Sequence, residues 1–408
     1  MRPKRWSFAN ALAVVSLTLL LASDASAQPK YKVIATIDGG LWSGLTFDSK
    51  GNLYGVTTGG GDSGHGSIFE LKRGSKGAWT VTTLHSFDGT HGYTPNGGLI
   101  FDEAGNLYGT TPEGGAYSHG TVFELTPGSA SWTFTVIYDF CAQYGCPDGE
   151  NPNAALIMDK GGNLYGTAPG GGSYGWGAAF ELTSGSSGWN EIVLHSFAGP
   201  PKDGGAVYAP LTFGGASSLY GTTAEGGRYE NGNYGDGTVF KLTPTAGGGW
   251  RERVLFSFDG GDGQGPTRGL LFDGSGNLYG TTAGGGKVCL GDLCGTMFKL
   301  ARTSGGRWVH SVLYNFATPQ HGFEPITGVV SDQAGNLYGT TATGGTGSCF
   351  DGCGVVYKLA PDSDGKWIYA VLHEFSGPSE SPPDGTLILD GKGNLYGTAL
   401  SVVYEITP

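Results

Sequence analysis

Side chains able to do chemistry recur at matching places along this 408-residue chain. His65, His119, Trp176, Asp236, Cys294 and Cys353 each stand immediately before a glycine. The slot changes in chemical kind from copy to copy, which suits a local function; an exposed turn under no constraint is the plainer alternative. A second series follows the pattern [D/H]-G-x-x-[P/V]: His91, Asp148, Asp203, Asp262 and His321. Five oxygen- or nitrogen-bearing groups around one pore could hold a cation, with calcium as the metal alternative. The simpler role is a turn cap, with the side chain bonding local backbone and the following glycine taking an unusual φ. No cofactor or metal is expected apart from that calcium alternative. His119, Asp236 and Asp148 are the groups that an acid and base pair acting on a sugar would use. Arg268, Glu324 and Asp384 add charge near the same end of the chain's inner strands, and Trp176 and Tyr229 offer aromatic faces for sugar or protein.

Two strings that look catalytic lack the context they need. Gly61-Asp62-Ser63-Gly64 copies a serine-protease string inside a glycine-rich loop. Gly171 to Gly175 fits G-x-S-x-G, but no helix follows to build a nucleophile elbow. There is no Walker loop, Rossmann unit or H-E-x-x-H zinc motif. The six cysteines form close pairs, Cys141 with Cys146, Cys289 with Cys294 and Cys349 with Cys353, read as local disulfides. Each contributes about 2–3 kcal/mol and pins a loop.

The elements that must position these groups are written seven times. GNLYGTT begins at Gly105, with variants at Gly51, Gly161, Ser217, Gly276, Gly335 and Gly393. The residue before Leu-Tyr-Gly falls at 52, 106, 163, 218, 277, 336 and 394, a period of 54 to 59 residues. Each period holds four short runs rich in β-branched and aromatic residues. In the second they are Gly98 to Asp102, Asn106 to Thr111, Thr121 to Thr126 and Trp132 to Phe140. D-x-x-G-N joins the first two as a tight hairpin.

In the fourth run Trp79, Trp132, Trp189, Trp250, Trp308 and Trp367 precede His85, Tyr138, His195, Phe256, Tyr314 and His373 by six residues. An even separation predicts that both lie on one strand face. Because His alternates there with Tyr and Phe, His85, His195 and His373 read as packing residues. The C-terminal repeat offers only a third strand, Ser401 to Thr407, while Tyr31 to Asp38 aligns with the fourth strand Val81 to Asp88. Pairing them closes a ring without an open sheet edge, which predicts an all-β, seven-bladed β-propeller over residues 28–408. Loops from second to third strand, and from each fourth strand to the next blade, then share one face. That face carries all three cysteine pairs and the irregular insertion Ala224 to Gly237.

Residues 1–27 read as a signal peptide: Arg2, Lys4 and Arg5, an apolar run from Ala11 to Leu21, and Ala25-Ser26-Ala27 as the cleavage site. The chain after it carries 20 basic against 34 acidic side chains, a net −14 that repels phosphate backbones and anionic lipids. Nucleic acid and a membrane span are therefore not expected. Seventy-eight glycines accompany 49 aromatic residues in register, so the glycines belong to turns rather than to disorder.

The succession of GNLYGTT, G-T-V-F-x-L and V-L-H-S-F resembles the GloVer tandem repeat of secreted bacterial proteins that carry varied C-terminal anchors. The resemblance covers essentially the whole chain after the leader and implies secretion and a propeller-like fold. It brings no activity and no catalytic residues. Nothing follows the last repeat, so surface attachment is not expected. The expectation is a secreted, extracellular or periplasmic, monomeric binding or scaffold module for glycan or protein, using His65, His119, Trp176, Tyr229, Asp236, Arg268 and Glu324. The alternative is a polysaccharide-acting lyase or glycosidase using His119, Asp236 and Asp148.

Overall fold

An aspartate sets the first hairpin of each repeat. In the computed structural model, which describes residues 28–408 apart from 76, 187, 216, 229–233 and 288–293, Asp102 accepts the backbone N–H of Asn106 on Oδ1 and its side-chain amide on Oδ2, both at 2.8 Å. The Tyr108 hydroxyl reaches Glu124 at 3.0 Å and the same aspartate at 3.2 Å. Asp48, Asp159, Asp273, Asp332 and Asp390 hold their asparagines the same way. The fourth repeat lacks the clasp because Gly214 and Ser218 stand in the two places.

From this hairpin grow seven four-stranded antiparallel sheets, numbered here as blades 1 to 7 from the one that begins at Thr46. Blade 2 runs Ile100–Phe101, Leu107–Thr111, Thr121–Pro127 and Trp132–Asp139, from the channel outward. GNLYGTT assigns one task to each residue. Leu107 is buried in the core between blades 1 and 2, and Gly109 lies under the ring of Phe123, its cross-strand partner. Thr110 donates to the Ala154 carbonyl of blade 3 at 3.1 Å, and Thr111 bonds Thr121 within its own blade at 2.8 Å. The bond from one blade to the next recurs from Thr167, Thr222, Thr281, Thr340 and Thr398. Val56 takes the place in blade 1.

Closure follows the expected route. Lys30–Thr36 pairs antiparallel with Val402–Thr407, giving the seventh sheet its outer strand. A one-residue bulge falls between Val33 and Ala35, where every other outer strand has its own, as at Leu84. Thr398 bonds the Ser43 carbonyl of blade 1 at 2.9 Å, so the closing junction repeats the internal ones.

The bulge corrects one expectation. Trp79 and His85 pair with Arg73 and Ile68, five residues apart on the third strand, and so lie on opposite faces. Trp79 packs edge-on against Tyr396 of blade 7, whereas His85 stacks on Phe134 of blade 2 at 3.9 Å. The six-residue interval thus spans the blade, with Trp turned to the preceding neighbour and the other ring to the following one. His373 likewise stacks on Tyr31 at 3.6 Å, but His195 makes a polar contact, Nε2 to Asp203 Oδ2 at 3.0 Å.

One core position departs from its copies in a way that costs stability. The ring over the Leu-Tyr-Gly glycine is Phe69, Phe123, Phe180, Phe240 or Phe298 in blades 1 to 5 but Tyr357 and Tyr404 in blades 6 and 7. Both hydroxyls are buried without a hydrogen-bond partner. Tyr357→Phe and Tyr404→Phe should each stabilise the fold by about 1–2 kcal/mol, read as a raised denaturation midpoint at unchanged m-value. No gain in either variant would show that the hydroxyls are satisfied in solution.

Candidate functional site

Blades 2 to 6 are each led in by a loop clamped through its backbone. Thr94, Asn151, Ala206 and Glu324 take positive φ between 53° and 61° or close to it and donate their N–H to the carbonyls of His65, His119, Trp176 and Cys294 in the preceding blade. Gly265 donates likewise to Asp236. The slot before the glycine is therefore used through its carbonyl, which leaves the side chain free to change from copy to copy.

Two to four residues after the clamp, the chain turns into the channel. Three places ahead of the core residues Leu45, Leu99, Leu156, Leu211, Leu270, Val329 and Leu387 stand Trp42, Asn96, Asn153, Tyr208, Thr267, Ile326 and Asp384. Trp42, Asn96, Asn153, Tyr208 and Asp384 line a cavity of about 290 Å³ at the mouth of the channel. The first four lie on consecutive blades and make an arc of indole, amide, amide and phenol. Trp42 and Tyr208 are 45% and 40% exposed, while Asn96 Oδ1 and Asn153 Oδ1 are buried without a hydrogen-bond partner.

Across from the arc the channel holds opposite charges. The other blades place Ser, Gly, Ala or Thr where Arg268 stands. Its Nε donates to the Ile326 carbonyl. Burial of the guanidinium lowers its pKa, and the charge of Asp384 opposes the shift. Asp384 is pushed up to about 6 by burial, partly offset by Arg268. The carboxyl accordingly changes charge within a mildly acidic range.

The other expected residues are spread over several junctions. His119 pairs through Nδ1 with Glu150 at 2.8 Å, beside the Cys141–Cys146 disulfide. Asp148 Oδ2 accepts the Tyr138 hydroxyl and the Cys141 N–H, both at 2.9 Å. His65 lies beside Tyr93, 5.5 Å between ring centres. Trp176 is wedged against Gly199 and Gly205, edge-on to Tyr234. Asp236 is fully buried on blade 4. Glu324 does not line the channel; its carboxylate faces Thr343 at 3.5 Å, and burial raises its pKa.

Tyr229 and Cys289 lie outside the described residues, and the Cys349–Cys353 disulfide is formed. The five [D/H]-G side chains serve their own junctions: His91 with Asp88, Asp148 with Tyr138, Asp203 with the Ala198 N–H, Asp262 with the Asp259 N–H and His321 with Tyr314. Trp42, Asn96, Asn153 and Tyr208 belong to no motif or repeated pattern of charged or catalytic residue types in the sequence. Their signal is a position whose residue type differs between blades, three places ahead of a core Leu, Val in blade 6.

Comparison with solved structures gives the fold. A streptogramin B lyase superposes with a TM-score of 0.54 at 14% identity, covering 93% of this chain and 97% of that one. An ancestral GH74 enzyme gives 0.59 at 10%, covering 91% and 48%. A PL25 ulvan lyase bound to -[GlcA(1-4)Rha3S]- gives 0.52 at 12%, covering 91% and 94%. No curated protein matches the sequence. No helix among the described residues is long and apolar enough to cross a membrane. The model of the Gloeobacter/Verrucomicrobia repeat matches residues 25–172 and 151–404. With seven blades built on that repeat, the chain belongs to the Gloeobacter/Verrucomicrobia repeat family.

Proposed function

We propose that the protein is a glycan-binding propeller that works outside the cytoplasm and takes its ligand at the channel mouth. The observation that carries this reading is the arc of Trp42, Asn96, Asn153 and Tyr208. Flat aromatic faces accept the C–H surface of a sugar ring, and unpartnered amide oxygens accept its hydroxyls. The leader-like first 27 residues and the disulfides support an oxidising compartment. Binding is favoured over turnover because none of His119, Asp236 and Asp148, the groups of the enzymatic alternative, is among the residues that line the channel cavity.

The test is affinity electrophoresis of residues 28–408 through a panel of plant and microbial polysaccharides, followed by sizing of the polymer. One polymer class should retard the protein and emerge at its original length. Trp42→Ala and Tyr208→Ala should each weaken retention about tenfold or more, with little change in melting temperature, since both residues stand partly in solvent outside the blade cores. Shortened polymer would replace this reading with an enzymatic one. Retention unchanged in both variants would move the site away from the channel.

A further inference from the structure

Across each blade junction two outer-strand positions face each other: the residue after the bulge of one blade, and the residue three before the bulge of the next. Four junctions fill them with stacked rings. These are His85 on Phe134, Phe256 on His310, Tyr314 on Tyr369 and His373 on Tyr31, with centres 3.6 to 4.4 Å apart. Between blades 3 and 4 the facing pair is His195 and Glu252, and the lead-in loop adds Asp203.

We propose that His195, Asp203 and Glu252 form a binding site for a divalent transition-metal ion that ties blade 3 to blade 4. The donor atoms come from three separate segments and all lie within 4.8 Å of one another. His195 Nε2 and Asp203 Oδ2 are 3.0 Å apart. Donors about 2.0–2.2 Å from a shared ion stand roughly 3 Å from each other, so this edge already has the spacing of two adjacent ligands.

The surroundings hold the donors in place. The Ala198 N–H fixes Asp203 Oδ2 at 2.9 Å, and the Gly204 N–H fixes Oδ1 at 2.7 Å. The His195 ring is set edge-on against Phe197. Glu252 Oε1 is buried without a hydrogen-bond partner. Burial, with the charge of Asp203 added, pushes this carboxyl up to about 7, while His195 opposes the shift. A bound cation would give the orphaned oxygen its partner and offset the cost of burying the acid. His195 and Asp203 side chains remain 23% and 13% exposed, which leaves a path to solvent.

Donor chemistry selects the class of ion. An imidazole with two carboxylates suits Zn²⁺ or a similar first-row ion, whereas Ca²⁺ calls for six to eight oxygens. The junction between blades 2 and 3 serves as an internal control. Glu191 there also has a buried, unpartnered Oε1, but the residue across from it is Tyr138, whose hydroxyl donates to Asp148. The group around His119 and Glu150 is a poorer candidate, since Cys141 and Cys146 share a disulfide and offer no thiolate.

Chelator-stripped protein, residues 28–408, is titrated with Zn²⁺ by calorimetry, and its thermal melt is followed with and without the ion. Binding at one site and a raised melting temperature are expected. Glu252→Gln should weaken the affinity on the order of 100-fold, and Glu191→Gln should leave it unchanged. The double variant His195→Phe with Glu252→His copies the Phe256 and His310 stack of the next junction. It should melt as a folded protein yet take up no Zn²⁺ at this site. The proposal is overturned if the wild-type protein takes up no Zn²⁺, or if Glu252→Gln or the folded double variant binds it as tightly as wild type.

Discussion

Deleting residues 28–37 should leave a chain that does not hold a closed ring at 25 °C. The deletion removes the whole outer strand of blade 7, whose pairing runs from Lys30 opposite Thr407 to Thr36 opposite Val402. It also removes Ile37 and Ile34 from the core between blades 7 and 1, and Tyr31 from its stack on His373. Val402–Thr407 would become an open edge with Tyr404 and Val403 uncovered, and such an edge seeks another chain. The lost burial and pairing exceed about 5 kcal/mol, comparable with the whole stability of an ordinary domain. Near-UV circular dichroism and size-exclusion chromatography should report loss of native packing or association between chains. A synthetic peptide of residues 28–38 added in excess should restore the native spectrum. A truncated monomer melting within about 2 °C of the intact protein would show that the ring is held by the other junctions alone.

The strand that this deletion removes was legible in the sequence because it copies a run present six more times, down to the position of its bulge at Ile34. The bulge was not legible as such. Leu84, Ile137 and Leu194 are ordinary strand residues, and nothing in their types announces an extra residue in the ladder. Hence the even spacing of Trp79 and His85 pointed to one face when the backbone puts them on two.

The site shows a related limit. Variation at His65, His119, Trp176 and Cys294 suggested function; the repeat uses their carbonyls, so a change of side chain leaves the clamp intact. The positions that do meet in one place, Trp42, Asn96, Asn153 and Tyr208, come together only when the ring closes, and they are some 54 to 57 residues apart in the chain. Arg268 and Asp384 were legible as channel charges because each stands two or three residues ahead of the Leu, Val in blade 6, that precedes each first strand. Glu324 is two to three residues too early and stays with the clamp.

Gly109→Ala should destabilise the protein by about 3 kcal/mol, whereas Gly105→Ala, four residues away in the same motif, should cost only about 1 kcal/mol. The two glycines are required for different reasons. Gly105 has φ of +89° in the hairpin turn, and a Cβ there would meet nothing within 4 Å. Its penalty is backbone strain alone, which asparagine should bear more easily than alanine. Gly109 has ordinary strand backbone, but its Cβ would lie 2.5 Å from Phe123 Cζ and 2.9 Å from Leu99 Cδ2. Phe123 is fully buried in the core between blades 1 and 2, so its ring cannot swing aside without displacing Phe87 and Phe134. The same contact in blade 6 is closer still, because the Tyr357 hydroxyl stands over Gly339. Removing that hydroxyl moves the nearest ring atom back to Cζ, 2.7 Å from the added methyl. Gly339→Ala should therefore cost about 1 kcal/mol less in a Tyr357→Phe background than in the wild-type protein, a coupling that a double-mutant cycle of urea melts resolves. Equal costs in both backgrounds would show that the strand backbone, rather than the ring, excludes the side chain.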